Sequence, residues 1–355
     1  MASIFAEYIP DLCSSLHKGS SGRIGVVGGS LEYTGAPYYA AISSLKFGAD
    51  LAYVFAAEEA CLAIKSYSPE LMVQPVYQAS TLNNDASAMP MVDTITKSMS
   101  RLHGLLIGPG LGRHPCVLKA VSLILVHARA AELLVVLDAD ALFLLQNEQS
   151  LALIQNNPRV VLTPNIVEYK RLRATVLKCL LNSSSSGGSS NSGNSGNTST
   201  TSTTSTTSTT STTSTTSTTS TTSDVGIGSL NDVEMVAHAL GGVLVVLKGE
   251  RDIVSNGTLT IRCEEVGGRK RSGGQGDILA GCVVTACSWS RASVDSFPDS
   301  AVAACAVVKR ASRQAFNEKF RAMTAPDVID QLGISFQHFF PSLPALPTEL
   351  DTQTQ

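Results

Sequence analysis

The sequence has no surplus of charge. Across 355 residues, 26 Lys and Arg stand against 29 Asp and Glu, a formal net charge of −3. No basic surface calls for nucleic acid, and no block of like charge reads as an interaction tail. Nor is there a run of about 18 apolar residues, which a membrane-spanning helix needs. We therefore expect neither a nucleic-acid nor a membrane partner. The opening residues lack a basic segment and a long apolar core, and the first basic residue is Lys18. We expect no secretory signal, no mitochondrial presequence and a cytoplasmic location. The eight cysteines include no Cys-x-x-Cys and no zinc-type pairing with histidine. Several lie in apolar runs, as reduced core residues do, which suits a reducing compartment. The six histidines show no ligand spacing and read as surface or internally satisfied groups.

Two common nucleotide signatures are also missing. Gly28-Gly29-Ser30 is not followed by Lys-Ser or Lys-Thr, so it is no Walker A loop. Gly108-Pro109-Gly110-Leu111-Gly112-Arg113 is one residue short of the dinucleotide fingerprint and lacks its acidic ribose partner, which disfavours a Rossmann dehydrogenase. Each stretch is either a glycine turn or a place where the backbone comes close to a ligand.

From Asn182 to Ser223 the chain is almost purely Ser, Thr, Gly and Asn, ending in Ser-Thr-Thr repeats. With nothing apolar to bury, this tract cannot offset the entropy of ordering and is expected to be disordered. It falls between two helical segments, so it reads as a surface-loop insertion within one domain spanning residues 1–340, followed by a flexible tail over 341–355. Closing a long loop costs little more than closing a medium one. Deleting the tract should leave activity nearly intact. About 310 residues remain, enough for one domain with a large core.

What is present is an alternation of buried strands and helices. Apolar runs closed by polar or glycine residues predict strands at Arg23–Gly29, Leu51–Ala56, Leu71–Val76, Gly104–Gly108, Leu133–Asp138, Val160–Leu162 and Val243–Leu247. Helical patterns lie at Gly35–Gly48, Cys116–Ala131, from about Ile166, Asn231–Leu240, Ile278–Trp289 and Ala301–Phe316, and a hairpin turns at Asn256-Gly257. The fold class is α/β, a mostly parallel central sheet with helices on both faces. Ligands in such sheets bind beyond the carboxyl ends of the strands. The polar motifs fall there: Gly28–Ser30, Gly108–Arg113, Asp138-Ala139-Asp140, Thr163-Pro164-Asn165 and Lys248-Gly249.

One stretch organises the rest. Gly267-Gly268-Arg269-Lys270-Arg271-Ser272-Gly273-Gly274-Gln275-Gly276-Asp277 runs into an apolar helix. A glycine-rich loop feeding a helix start is an anion site, because free backbone N–H groups and the helix dipole both favour negative charge. The three cations would complement a triphosphate. Asp277 would be repelled by phosphate unless it works as a general base on a hydroxyl aligned with the terminal phosphoryl group. The plainer alternative is a helix N-cap. Asn165 and Glu168 could form a capping box, or could face a metal or phosphate; magnesium needs few protein carboxylates. One of Asp138 and Asp140 could cap the next helix while the other faces the ligand. Lys248 could reach a phosphate or sit on an exposed loop.

These motifs, in this order, resemble the NAD(P)H-hydrate dehydratase branch of the ribokinase-like superfamily. The matches are His17-Lys18-Gly19 with Gly22-Arg23, Val27–Ser30 with Tyr33-Thr34-Gly35-Ala36, and Gly108–Gly112. They continue through Asp138–Ala141, Leu162–Glu168, Lys248-Gly249 and Gly273–Asp277. The resemblance implies ATP-dependent dehydration of hydrated NADH and NADPH (NADHX and NADPHX), through phosphorylation of the added hydroxyl and loss of phosphate. It implies Asp277 as the base. Gly112 and Asn165, Ile166, Val167, Glu168, Tyr169, Lys170 and Arg171, with Asp277, would hold the hydrated dinucleotide. Lys248, Gly249, Glu250, Arg251 and Asp252, with Gly267, Gly268, Arg269, Lys270, Arg271, Ser272, Gly273, Gly274, Gln275 and Gly276, would hold ATP. Mg²⁺ would bridge the phosphates, with no metal ligands assigned. The loop Arg269–Ser272 departs from the shorter apolar one of bacterial members and looks like the ATP-using eukaryotic branch. No epimerase domain is present in the sequence, so a separate epimerase chain is expected, and homo-oligomer formation is left open. Two other readings stand beside this one: a ribokinase-like kinase of a small alcohol, and an inactive scaffold.

Overall fold

A computed structural model describes residues 2–11, 17–185 and 226–341. Most of the Ser/Thr-rich tract, and the chain beyond Pro341, lie outside these residues. Nine strands form a single sheet: β1 (Arg23–Val27), β2 (Leu51–Ala57), β3 (Met72–Tyr77), β4 (Gly104–Ile107), β5 (Leu134–Leu137), β6 (Val160–Leu162), β7 (Leu244–Leu247), β8 (Ile253–Ser255) and β9 (Thr260–Arg262). Their spatial order is β3-β2-β1-β4-β5-β6-β7-β8-β9. Pairing is parallel from β3 across to β7, and antiparallel for β7–β8 and β8–β9. Strands β4 to β8 are buried at every position, and the apolar runs of β4 to β7 are what a sheet covered by helices on both faces requires.

The chain starts in the middle of the sheet, works outward to β3, then returns to place β4 on the other side of β1. Helices Gly35–Phe47 and Glu58–Tyr67 pack on each other, as do Met89–Met99 and Pro115–Ala130, the two pairs that the usual right-handed crossover rule assigns to opposite faces of this sheet. The reversal leaves a crevice between the carboxyl ends of β1 and β4, the topological switch point where such sheets bind ligands. Helix Gln275–Trp289 packs on helix Gly35–Phe47 and over β4 and β5, with helix Phe297–Lys319 beside it. The first of these is buried continuously from Ile278 to Ser288.

The expected strands are all present. The structure adds helices Glu58–Tyr67, Met89–Met99, Ala325–Asp330 and Leu332–Phe339, and resolves the hairpin into the antiparallel edge β8–β9. Of the seven cysteines among the described residues, six are buried free thiols and Cys179 is partly exposed. No helix of the described residues is long and apolar enough to cross a membrane. One histidine differs from expectation. His103 is half-buried, accepts from Arg23 Nη2 on Nε2 at 2.8 Å, and has a buried Nδ1 with no partner among the described residues. Burial, with Arg291 and Arg23 nearby, pulls its pKa down to about 4.

Candidate active site

The floor of the site is backbone. Gly29 donates its N–H to the carbonyls of Pro109 and Gly110, both at 3.1 Å, which locks the loop after β1 to the loop after β4. Gly108 has φ +128, and a Cβ there would stand 1.8 Å from the Asp138 carbonyl oxygen, so the loop after β5 closes against it as well. Ala139 turns the chain out of β5 with φ 47, an uncommon conformation for a residue with a side chain. That turn sends Asp138 and Asp140 to different work. Asp138 is 1% exposed. Asp140 accepts the Gly112 N–H at 3.0 Å and Arg113 Nε at 2.9 Å, holding the glycine loop from outside.

Lys248, at the end of β7, is not on an exposed loop. Its backbone N–H bonds the Pro164 carbonyl at 2.8 Å, and its ammonium lies 2.6 Å from Asp138 Oδ1. Burial works against its charge, but Asp138, Glu168 and Asp277 outweigh burial and hold its pKa above the ordinary value. The same ammonium stands 3.4 Å from where a Cβ on Gly276 would be, so it reaches the first turn of the long helix. Three carboxylates and one ammonium thus share one corner at the carboxyl ends of β5, β6 and β7.

The capping alternative for Asp277 fails. The N-cap is Gly274, in the left-handed region at φ +90, and Ile278 N–H to Gly274 O is the first helical bond at 3.0 Å. Gln275, Gly276 and Asp277 therefore occupy the first turn, whose N–H groups have no intrahelical partner. Asp277 is half-buried. Burial first, then the charge of Asp138, raises its pKa to about 8, against the pull of Lys248. A carboxylate poised near neutrality beside unpaired backbone donors suits proton abstraction next to an anion hole.

Asn165 and Glu168 do form the capping box. Asn165 Oδ1 accepts from the N–H groups of Val167 (2.9 Å) and Glu168 (3.0 Å), and Glu168 Oε2 accepts from Asn165 N–H at 2.8 Å. Glu168 nevertheless remains in the electrostatic reach of Lys248 and Asp138, and burial lifts its pKa. Ile166, Val167, Lys170 and Arg171 are exposed around the cap.

Two expected binding side chains point elsewhere. Tyr169 is 0% exposed and donates its hydroxyl to Asp232 at 2.9 Å, so its side chain belongs to the core between two helices. Asp252 is 3% exposed; it accepts the Gly249 N–H at 2.9 Å and pairs with buried Lys309 at 3.2 Å. Lys309 in turn donates to the Gly249 and Glu250 carbonyls at 2.9 and 3.0 Å. This pair shapes the loop after β7 from beneath. Arg251 is engaged by Glu264. In the basic loop, Lys270 donates to the Arg321 carbonyl at 2.6 Å, while Arg269 and Arg271 are exposed. Gln275 ties the loop down, donating to Lys270 O at 3.1 Å and Ser272 Oγ at 2.8 Å and accepting from Ser312 Oγ at 3.1 Å. Gly267 and Gly268 run along helix Phe297–Lys319, and Gly273 faces open space.

Sequence reasoning missed Lys309 and left the Asp138–Lys248 pair unmade. Lys309 sits mid-helix in an apolar stretch, and only that mismatch could have marked it.

The family profile described as NAD(P)H-hydrate dehydratase matches residues 24–211 and 227–333. A Homo sapiens protein named ATP-dependent (S)-NAD(P)H-hydrate dehydratase is 39% identical over 339 residues, covering 94% of this chain and 82% of that one. The Entamoeba histolytica protein of the same name is 36% identical over 337 residues, covering 94% and 92%. Among solved structures, a ribokinase-like superfamily protein of Enterococcus faecalis superposes with a TM-score of 0.65 at 15% identity, covering 96% of this chain and 95% of that one. The Bacillus subtilis ADP/ATP-dependent NAD(P)H-hydrate dehydratase, co-crystallised with ATP and Mg²⁺, does so at 0.60 and 17%, covering 96% and 97%. The two structures establish a ribokinase-like fold. With the profile spanning most of the chain and relatives this similar along nearly all of it, the chain belongs to the NAD(P)H-hydrate dehydratase family.

Proposed function

We propose that this protein dehydrates the S form of NADHX and NADPHX at the expense of ATP, and that Asp277 is its general base. The observation that carries the reading is Asp277 in the first turn of a buried helix, where the N–H groups have no intrahelical backbone partner, close to Lys248. Hydroxide leaves poorly and phosphate leaves well. Transfer of the terminal phosphoryl group of ATP to the hydrate hydroxyl, with Asp277 taking the hydroxyl proton, turns the one into the other. Phosphate then departs with the C–O bonding electrons, and loss of a proton from the adjacent carbon restores the nicotinamide double bond. The products are ADP, phosphate and the intact dinucleotide.

The N–H groups of Gln275 and Gly276, in the first turn of the helix, would receive the transferring phosphoryl group. Lys248 would leave Asp138 for phosphate oxygens, and the loops Lys248–Asp252 and Gly267–Gly276 would hold the nucleotide. Gly112 and the rim formed by Asn165–Arg171 would hold the dinucleotide, Tyr169 supporting that rim from the core and Asp252 supporting the nucleotide loop. Magnesium fits this corner. Among the described residues no three His, Cys, Asp or Glu side chains gather into a metal cage. The hard carboxylates of Asp138 and Glu168 would suffice, since magnesium takes most of its ligands from water and phosphates. Its chemistry is to neutralise charge on the phosphates. Because the relatives' name specifies the S form, the opposite epimer would need a separate epimerase.

The test is optical. Purified protein is mixed with hydrated NADH, Mg²⁺ and either ATP or ADP, and the dihydronicotinamide absorbance is followed. Its return with ATP is the expected result. No return with either nucleotide, from folded protein that binds ATP, would move the assignment to a kinase of a small alcohol.

A further inference from the structure

Arg113 follows the glycine loop after β4 and is the one cation on it. Its Nε is held by Asp140 at 2.9 Å, and its guanidinium carbon lies 4.8 Å from the centre of the Phe143 ring. The arrangement is built from outside: Asp140 also fixes the Gly112 N–H at 3.0 Å, so loop and arginine move together. Two features are left over. The arginine side chain is 53% exposed with its two terminal nitrogens unengaged among the described residues, and Phe143 is 38% exposed, unusual for a ring on a short buried turn. Both line one small cavity with Gln146, Glu168 and Arg171. Arg171 lines the same hollow, and it has no ion-pair partner among the described residues.

A guanidinium clamped through Nε presents its other two nitrogens as a fixed fork, the geometry that suits phosphate. A second arginine on the same cavity adds positive charge beside the Glu168 carboxyl that also lines it, and holding Arg113 between Asp140 and Phe143 limits the entropy lost on binding. We infer that Arg113, clamped between Asp140 and Phe143, is a phosphate-binding and specificity-determining residue of the dinucleotide subsite, acting with Arg171 on either the bridging diphosphate or the 2′-phosphate. This rests on the reading that the dinucleotide lies between Gly112 and the Asn165–Arg171 rim. Neither Arg113 nor Phe143 stood among the binding residues expected from sequence.

The experiment measures binding of NADH and NADPH to full-length protein by dihydronicotinamide fluorescence, with ATP binding measured in parallel. Arg113→Met is expected to weaken dinucleotide binding roughly 10- to 100-fold, the effect of one charge-assisted hydrogen-bonded contact, with ATP affinity unchanged. Arg113→Lys should recover part of the loss. The difference between wild type and Arg113→Met should shrink as salt rises, which a purely structural role would not produce. Equal losses for both dinucleotides assign the diphosphate, and a loss confined to NADPH assigns the 2′-phosphate. Unchanged affinity for both in folded Arg113→Met, against a wild type that binds them, overturns the inference alone. A wild type that binds ATP but neither dinucleotide overturns the parent reading and this inference with it.

Discussion

Lys248 places its ammonium 2.6 Å from Asp138, a residue 110 positions earlier in the chain. The pair joins the ends of β7 and β5 across β6, and it sits where Asp277 and Glu168 also converge. Without a ligand, the corner holds more negative than positive charge. Burial first, and then the charge of Asp138, raise the pKa of the base there.

The rate should therefore follow the ionisation of Asp277. With its pKa at about 8 in the folded protein, Asp277 is mostly protonated at neutral pH and must lose that proton to act. We expect kcat/KM to rise about tenfold per pH unit below pH 8 and to level off above it. Asp138→Asn removes a charge that raises Asp277, so the midpoint should move to lower pH. Lys248→Met removes a charge that lowers it, so the midpoint should move up. A pH–rate series on the three proteins checks both signs.

Asp277→Asn should cut turnover by roughly 10²–10⁴, the usual span for a lost general base, with ATP affinity little changed. It should also stabilise the protein. A carboxyl ionising near 3.8 in the unfolded chain and near 8 in the folded one favours folding below pH 4 and loses that advantage as pH rises to 8. The variant escapes this loss. Its melting temperature should match wild type near pH 4 and exceed it increasingly toward pH 8, an advantage of about a few kcal/mol.

Tyr169→Phe separates the rim from its support. If the hydroxyl serves only Asp232, the change should cost about 1–3 kcal/mol, the penalty for leaving a buried acceptor short of a donor, with KM for the dinucleotide nearly unchanged. A large rise in KM at unchanged stability would return Tyr169 to the binding surface.

Lys309→Met should act on the nucleotide side. It strands buried Asp252, which breaking a buried ion pair makes costly by about 3–5 kcal/mol, and it frees the Gly249 and Glu250 carbonyls. Urea denaturation and ATP titration should show lower stability together with weaker ATP binding, while dinucleotide affinity holds.

Much of the fold was legible because a parallel sheet covered on both faces must be written in unbroken apolar runs, and β4, β5 and β7 are such runs. Helix Glu58–Tyr67 was harder, because it follows β2 without a capping residue: Ala57 ends the strand and is also the N-cap. Of the site, the glycine loops and Asp277 could be read from local chemistry. Side-chain direction could not. Tyr169 lies next to Glu168 in sequence, but one step along a helix turns a side chain by about 100°, from the rim into the core. The Asp138–Lys248 pair depends on strand order, which no local pattern records.

The carboxylate of Asp232 accepts from Tyr169, Arg173 and the Gly228 N–H at 2.9, 2.6 and 2.8 Å. The first two lie on the helix that precedes the Ser-Thr-Thr repeats, and the third lies just after them. One buried staple thus joins the chain on the two sides of the repeats. Doubling a loop adds only about 0.6 kcal/mol to its closure. Alleles that gain or lose triplets of this repeat, as slippage in tandem codons would generate, should encode enzymes of nearly equal stability and rate.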